Sequence, residues 1–282
     1  MPENKPLIKL GQINFINCLP VNLPLRQFFA GNSQNYLNLS IDLTEGVPSL
    51  LNRSLRINHL DLAPISSFEY LSNKSLYKPV PGLSISSLRQ ADSVLLFVKE
   101  NLSISEIDEI YITDKSASSV NLLKILLQDA WGLNLEKIKF IVFQDDPADF
   151  KAKLLIGDEA LCQTIKLKNT RVIDLGTAWH EYSGLPMVFG LWTFNINSDV
   201  YKNSELRDFI IEFLNRSRDQ GLSDLFPDVI VEAFKATGLP KSILLNYFKN
   251  LNYQFTDNHQ QGLDYFEKKL KDLKLLGEFS CK

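Results

Sequence analysis

The chain is poor in the residues that carry metal and redox chemistry. It has three cysteines and three histidines in 282 residues, and Cys18, Cys162 and Cys281 lie too far apart to form a CxxC pair. That spacing argues against a zinc site of the usual kind and against a disulfide framework. A catalytic thiol needs a base nearby; Cys18 has no histidine close in sequence and reads as a small buried residue. Glycine-rich phosphate cradles are missing as well: there is no GxGxxG and no Walker lysine spacing, so no nucleotide is indicated. Charge of one sign is not concentrated anywhere. The net charge is -3, and the densest cationic cluster (Lys268, Lys269, Lys271 and Lys274) alternates with acids and leucines, as a solvated helix face does. A nucleic-acid partner is therefore not expected. No apolar run approaches the roughly 20 residues needed to span a bilayer, and no apolar signal core follows the polar start Met1–Pro6. These absences predict a cytoplasmic protein with no membrane partner, no cofactor and no metal.

What is present is a succession of strand and helix patterns. The length fits one large domain or two compact ones. Leu7-Ile8-Lys9-Leu10-Gly11 alternates like a half-buried strand, and Pro20 opens a helical pattern from Val21 to Ala30. Asn17 sits between them, where open α/β sheets collect ligands. An amide there can donate and accept hydrogen bonds, or simply cap the helix. Tyr36 to Leu43 reads as a second strand, and Pro48 launches a short amphipathic helix. Leu60 to Ile65 is a third strand, ending in Ser66-Ser67 where a helix begins; hydroxyls at a helix start suit capping and anions alike.

Val80 to Ser87 is extended with a serine-rich tip that includes Ser86, and Ser93 to Val98 is the continuous apolar run of a central strand. The pattern then restarts. Ile110 to Thr113 is a strand, Asp114 to Ser119 a polar loop holding Ser118 and Ser119, and Val120 to Trp131 a strong helix. Lys139 to Phe143 and Ala152 to Ile156 are further strands. The latter runs into Gly157 and Asp158, an acid that either caps its own helix or faces the crevice. Val172 to Gly176 is a short strand, Trp179 and His180 fall in a loop, and Met187 to Phe194 is a long apolar strand. Helices follow from Glu205 to Leu276. The order predicts an α/β protein in two lobes, each a mixed, mostly parallel sheet flanked by helices, with a helical C-terminal region. The first lobe is discontinuous, residues 1–94 plus 194–282; the second, 95–193, is inserted; ligands sit in the cleft between them.

Taken in order, these pieces resemble the chorismate dehydratases of the futalosine route to menaquinone. The resemblance rests on Asn14-Phe15-Ile16-Asn17-Cys18-Leu19-Pro20, Gly46-Val47-Pro48, Leu60 through Tyr70, Ser93 through Phe97 and Ser116 through Val120. It continues with Ile156 through Leu161, Asp174-Leu175-Gly176 and Ser183 through Phe189. The chain departs from the family pattern at Arg89-Gln90-Ala91-Asp92, at Phe15 where a tyrosine is usual, and at Ser183 where a threonine is usual. The opening motif of the sister enzyme that makes dihydroxynaphthoate is absent.

The resemblance implies a periplasmic-binding-protein type II fold working as a hydro-lyase on chorismate, without cofactor or metal, as a monomer or homodimer. It implies that Asn17 contacts the reacting ring substituents with support from Ser86 or Ser67. Ser66, Ser118, Ser119 and the backbone at Gly157 would hold carboxylates, and Asp158 is the protein carboxylate available for acid–base work. A substrate carboxylate acting as base is the alternative. The sister synthase and a non-catalytic cytoplasmic binding protein for a small carboxylate remain as rival readings.

Overall fold

The computed structural model describes residues 6–31, 39–145, 147 and 149–276. The expected strand residues Tyr36 to Asn38, and Cys281, lie outside these. Among the described residues eleven strands form two sheets: β1 (Leu7–Ile13), β2 (Ser40–Gly46), β3 (Leu62–Ser66), β4 (Tyr77–Ser87), β5 (Val94–Lys99), β6 (Glu109–Thr113), β7 (Lys139–Phe143), β8 (Ala152–Ile156), β9 (Thr170–Asp174), β10 (Met187–Asn195) and β11 (Leu251–Asn252). One sheet runs β11-β4-β10-β3-β1-β2 and the other β7-β6-β8-β5-β9. Strands β3 and β8 are buried at every residue and β5 at all but its last, because helices cover both faces.

Both sheets are mixed. The pairs β1–β2, β1–β3, β6–β7 and β6–β8 are parallel, and the other pairs are antiparallel. Mixed sheets are as expected, and parallel pairs, four of nine, are not in the majority. Four of the five antiparallel pairs involve β5 or β10, the first strand after each crossing between sheets.

The sheets also set the boundaries differently from the sequence reading. The expected cut near residue 193 falls inside β10, which pairs with β3 and β4 throughout. The C-terminal helix Asp257–Asp272, expected with the first lobe, buries Leu263, Phe266 and Leu270 in the core of the second sheet. Trp179 meets Phe266 edge-on at 5.9 Å, and its indole N–H donates to Pro186 O at 3.2 Å. Trp179 and His180 lie in a helix, Leu175–Ser183, rather than a loop. Its signals are local: Asp174 caps it by accepting from Thr177 N at 2.9 Å, Leu175, Ala178 and Trp179 share one buried face, and Gly184 ends it at φ 73°.

Helix Asp257–Asp272 passes close to the start of β10. A Cβ on Gly262 would lie 2.2 Å from the carbonyl oxygen of Pro186. Elsewhere in a helix, Gly→Ala stabilises by up to about 1 kcal/mol. Here overpacking reverses the sign, and Gly262→Ala should destabilise by about 1–3 kcal/mol in urea unfolding. Unchanged or increased stability would mean the helix does not seat on that carbonyl.

Candidate active site

The strand ends that meet between the sheets are also helix starts. Helix Pro48–Arg56 follows β2, Ala117–Ile125 follows β6, and Gly157–Thr164 follows β8. Pro48, Ser116, Ser119 and Gly157, from the starts of these helices, all line one cavity between the two sheets. The turn Ile16–Cys18 after β1 contributes Asn17 and Cys18, and Phe15, Ile65, Ile85 and Phe189 supply much of its apolar wall. Among the described residues no lysine, arginine, histidine or carboxylate side chain lines the cavity. The helices that begin there turn the positive ends of their dipoles toward the wall.

The sequence candidates separate into two sets. Asn17, Ser66, Ser119 and Gly157 line the cavity together. Asn17 does not cap a helix. It sits inside its own short turn, and its side-chain oxygen is buried without a partner. A buried amide oxygen left unmatched costs about 1–3 kcal/mol, so this acceptor is open to a donor from outside the protein, water included. Ser66 caps the helix Ser67–Ser72 by accepting from Glu69 N, and it also accepts from Asn52 Nδ2 at 3.1 Å. The hydroxyls of Ser116 and Ser119 lie 3.0 Å apart, and Ser116 Oγ accepts from Ser119 N.

Ser67, Ser118, Ser86 and Asp158 stand behind this wall. Ser118 Oγ accepts from Phe68 N at 2.8 Å and lies 3.0 Å from Ser67 Oγ, so this pair joins the two lobes. Ser86 Oγ donates to Asn252 O at 2.9 Å, holding β4 to β11. Side chains alternate along a strand, and Ile85 occupies the cavity face while Ser86 takes the other. The Asp158 carboxylate accepts from Ile16 N at 3.0 Å rather than capping its own helix, and burial pushes its pKa up to about 6.

Sequence reading missed Ser116 and Ser93 on the wall. Ser116 carried a signal, a hydroxyl three residues before Ser119 at a helix start. Ser93 did not: its place depends on Tyr247, 154 residues away, whose hydroxyl donates to it at 3.0 Å. Burial holds the Cys18 thiol protonated, far above the usual thiol range.

The sequence model of a family described as menaquinone biosynthesis matches residues 8–272. The chain belongs to this family. Two curated relatives carry the name chorismate dehydratase. One, from Thermus thermophilus, is 27% identical over 240 residues, covering 79% of this chain and 84% of the relative. The other, from Campylobacter jejuni, is 29% identical over 224 residues, covering 76% and 84%. Among solved structures, a protein of Archaeoglobus fulgidus superposes with TM-score 0.76 at 15% identity, covering 95% of this chain and 98% of that one. The alkanesulfonate-binding protein SsuA of Xanthomonas axonopodis pv. citri superposes with TM-score 0.72 at 13% identity, covering 98% and 96%. A Candida albicans protein described as having the generic periplasmic binding protein fold gives TM-score 0.62 at 14% identity, covering 97% and 92%. At these identities the likeness is one of fold, and it bears out the two-lobed reading. The resemblance first seen in the residues holds at the level of the family. No helix among the described residues is long and apolar enough to cross a membrane.

The wall of the cavity is braced by the bond between Ser118 and Phe68 N. Ser118→Ala removes that buried acceptor and should lower stability by about 1–3 kcal/mol. Thermal or urea unfolding reads the loss. A variant as stable as the parent would release Ser118 for ligand binding instead.

Proposed function

We propose that this protein is a chorismate dehydratase, a hydro-lyase that converts chorismate to 3-[(1-carboxyvinyl)oxy]benzoate and water. The observation that carries the reading is the match to two chorismate dehydratases over most of both lengths, and the cavity fits it. The substrate is a flat cyclic dianion, and the slot is apolar in its walls, polar at its helix starts and free of side chains that would compete for the charge.

The reaction breaks the C–H bond at the ring carbon bearing the enolpyruvyl ether and the C–O bond of the neighbouring hydroxyl. The C–H electrons become the new ring double bond, the hydroxyl leaves with its electron pair, and the proton and hydroxide depart as water. Aromatisation supplies the driving force, so the protein's work is positioning and stabilising charge. Asn17 is the group for the ring hydroxyl. Its unmatched oxygen accepts the hydroxyl proton in the bound state, and its NH₂ is the donor that can follow the departing oxygen. The N–H groups at the starts of helices Ala117–Ile125 and Gly157–Thr164, with the Ser119 and Ser66 hydroxyls, hold the carboxylates. Cys18, the one titratable side chain on the wall, is held protonated by burial. The proton acceptor is then a carboxylate of the substrate itself, brought near the ring C–H by the bound conformation.

Incubation with chorismate, followed by mass spectrometry, should show loss of one water. Asn17→Ala should keep its fold and lower kcat by about 10²–10³. Near-normal turnover by Asn17→Ala would overturn the assignment of that residue. Binding of chorismate without turnover by the parent would turn the reading toward a binding protein.

A further inference from the structure

Asp158 is held apart from the cavity it adjoins. Its carboxylate reaches from the helix after β8, in one lobe, to the amide of Ile16 in the turn after β1, in the other, at 3.0 Å. On the next residue of that turn, Tyr253 O–H donates to Asn17 O at 2.8 Å. Asn17 is thus bracketed: one bond comes from the opposite lobe and one from the segment after β11. The lobes touch closely here. Gly157 takes φ +61°, and a Cβ on it would lie 3.1 Å from the Phe15 ring. No lysine or arginine pairs with Asp158 among the described residues.

We propose that Asp158 is a positioning residue, the latch that seats the Asn17 turn when the second lobe closes on the first. It acts through Ile16 and does not touch the ligand. The groups that face it do not titrate near neutrality. Cys18 on the turn, Tyr247 on helix Lys241–Asn250 and Cys162 on its own helix are all pushed up by burial and stay protonated. Arg26 acts on Cys18 and Lys166 on Cys162, both as fixed positive charges. Glu159, next along the helix, is paired with Lys115 at 3.0 Å.

The sign of the pH effect follows. With the cleft open, Asp158 meets water and has an ordinary carboxylate pKa; closure desolvates it and raises that pKa to about 6. Closing therefore takes up a proton: the closed form's gain is full below the ordinary carboxylate range, is lost as pH rises toward about 6, and levels off above it. A latch makes KM fall on the acid side while kcat holds. A general base would make kcat fall there instead.

The test uses the full chain with Asp158→Asn, which keeps an acceptor oxygen, and Asp158→Ala, which does not. Hydrogen exchange read by mass spectrometry at the Ile16 amide needs no substrate, so this arm is independent of the dehydratase reading; only the turnover arm rests on it. We expect Asp158→Ala to exchange about tenfold or more faster at Ile16, with Asp158→Asn remaining protected. For the parent, KM for chorismate should rise about tenfold between about pH 5 and pH 7. Asp158→Asn should abolish that rise and keep kcat within about threefold. Parent-like protection of Ile16 in Asp158→Ala overturns the latch. So does a kcat loss of about a hundredfold in Asp158→Asn at unchanged KM, which would make Asp158 the proton acceptor.

Discussion

The site depends on helices that begin where the two sheets face each other. Backbone N–H groups at a helix start have no partner within the helix, and the dipole there is positive. Helices Pro48–Arg56, Ala117–Ile125 and Gly157–Thr164 all open onto one cavity. Among the described residues no lysine or arginine side chain lines that cavity, so the polar groups on its wall are the Asn17 amide, the serine hydroxyls, the Cys18 thiol and the backbone at the helix starts.

Much of this was legible in the sequence because the signals were local. Strands β1, β3, β5, β6 and β8 announced themselves by alternation or by continuous apolar runs, and Pro48, Ser66 and Gly157 marked helix starts. Asn17 stood out for the same reason, a polar residue at a strand end before a helix. What could not be read was set by distant partners. β11 has two residues, too few for any pattern, and exists because it pairs with Ser86 and Ser87. The place of β10 in the first sheet follows from pairing with β3 and β4, more than a hundred residues earlier. Composition alone could not separate it from the strands of the inserted lobe.

The serines divide along the same line. A hydroxyl near a helix start can cap, bridge lobes or meet a ligand, and all three occur here with the same residue type. Ser66 caps, Ser118 joins the lobes through Phe68 N, and Ser119 faces the cavity beside Ser116. Ser86 shows how little separates these outcomes. One step along a strand turns a side chain to the other face, and its hydroxyl closes on Asn252 O behind the wall.

The departure from the family pattern at Arg89-Gln90-Ala91-Asp92 can be weighed in the same terms. This segment makes the first crossing between sheets, and its path is fixed by backbone. The Asp174 carboxylate accepts from Ala91 N and Asp92 N, at 3.1 and 2.7 Å, as well as from Thr177 N. Asp92 takes φ 60°, a left-handed turn that its short polar side chain tolerates, and accepts from Asn250 Nδ2 at 2.7 Å. Arg89 and Gln90 are exposed, so their identities are free of the packing that fixes the turn. Of the four, Ala91 alone lines the cavity. Any effect of this segment on ligand choice therefore passes through one methyl group and the backbone beneath it. The same Asp174 that anchors the crossing also starts the helix carrying Trp179, which ties the second core to the C-terminal helix. Side chains at 89 and 90 can vary while the path of the crossing and the cavity wall stay as they are.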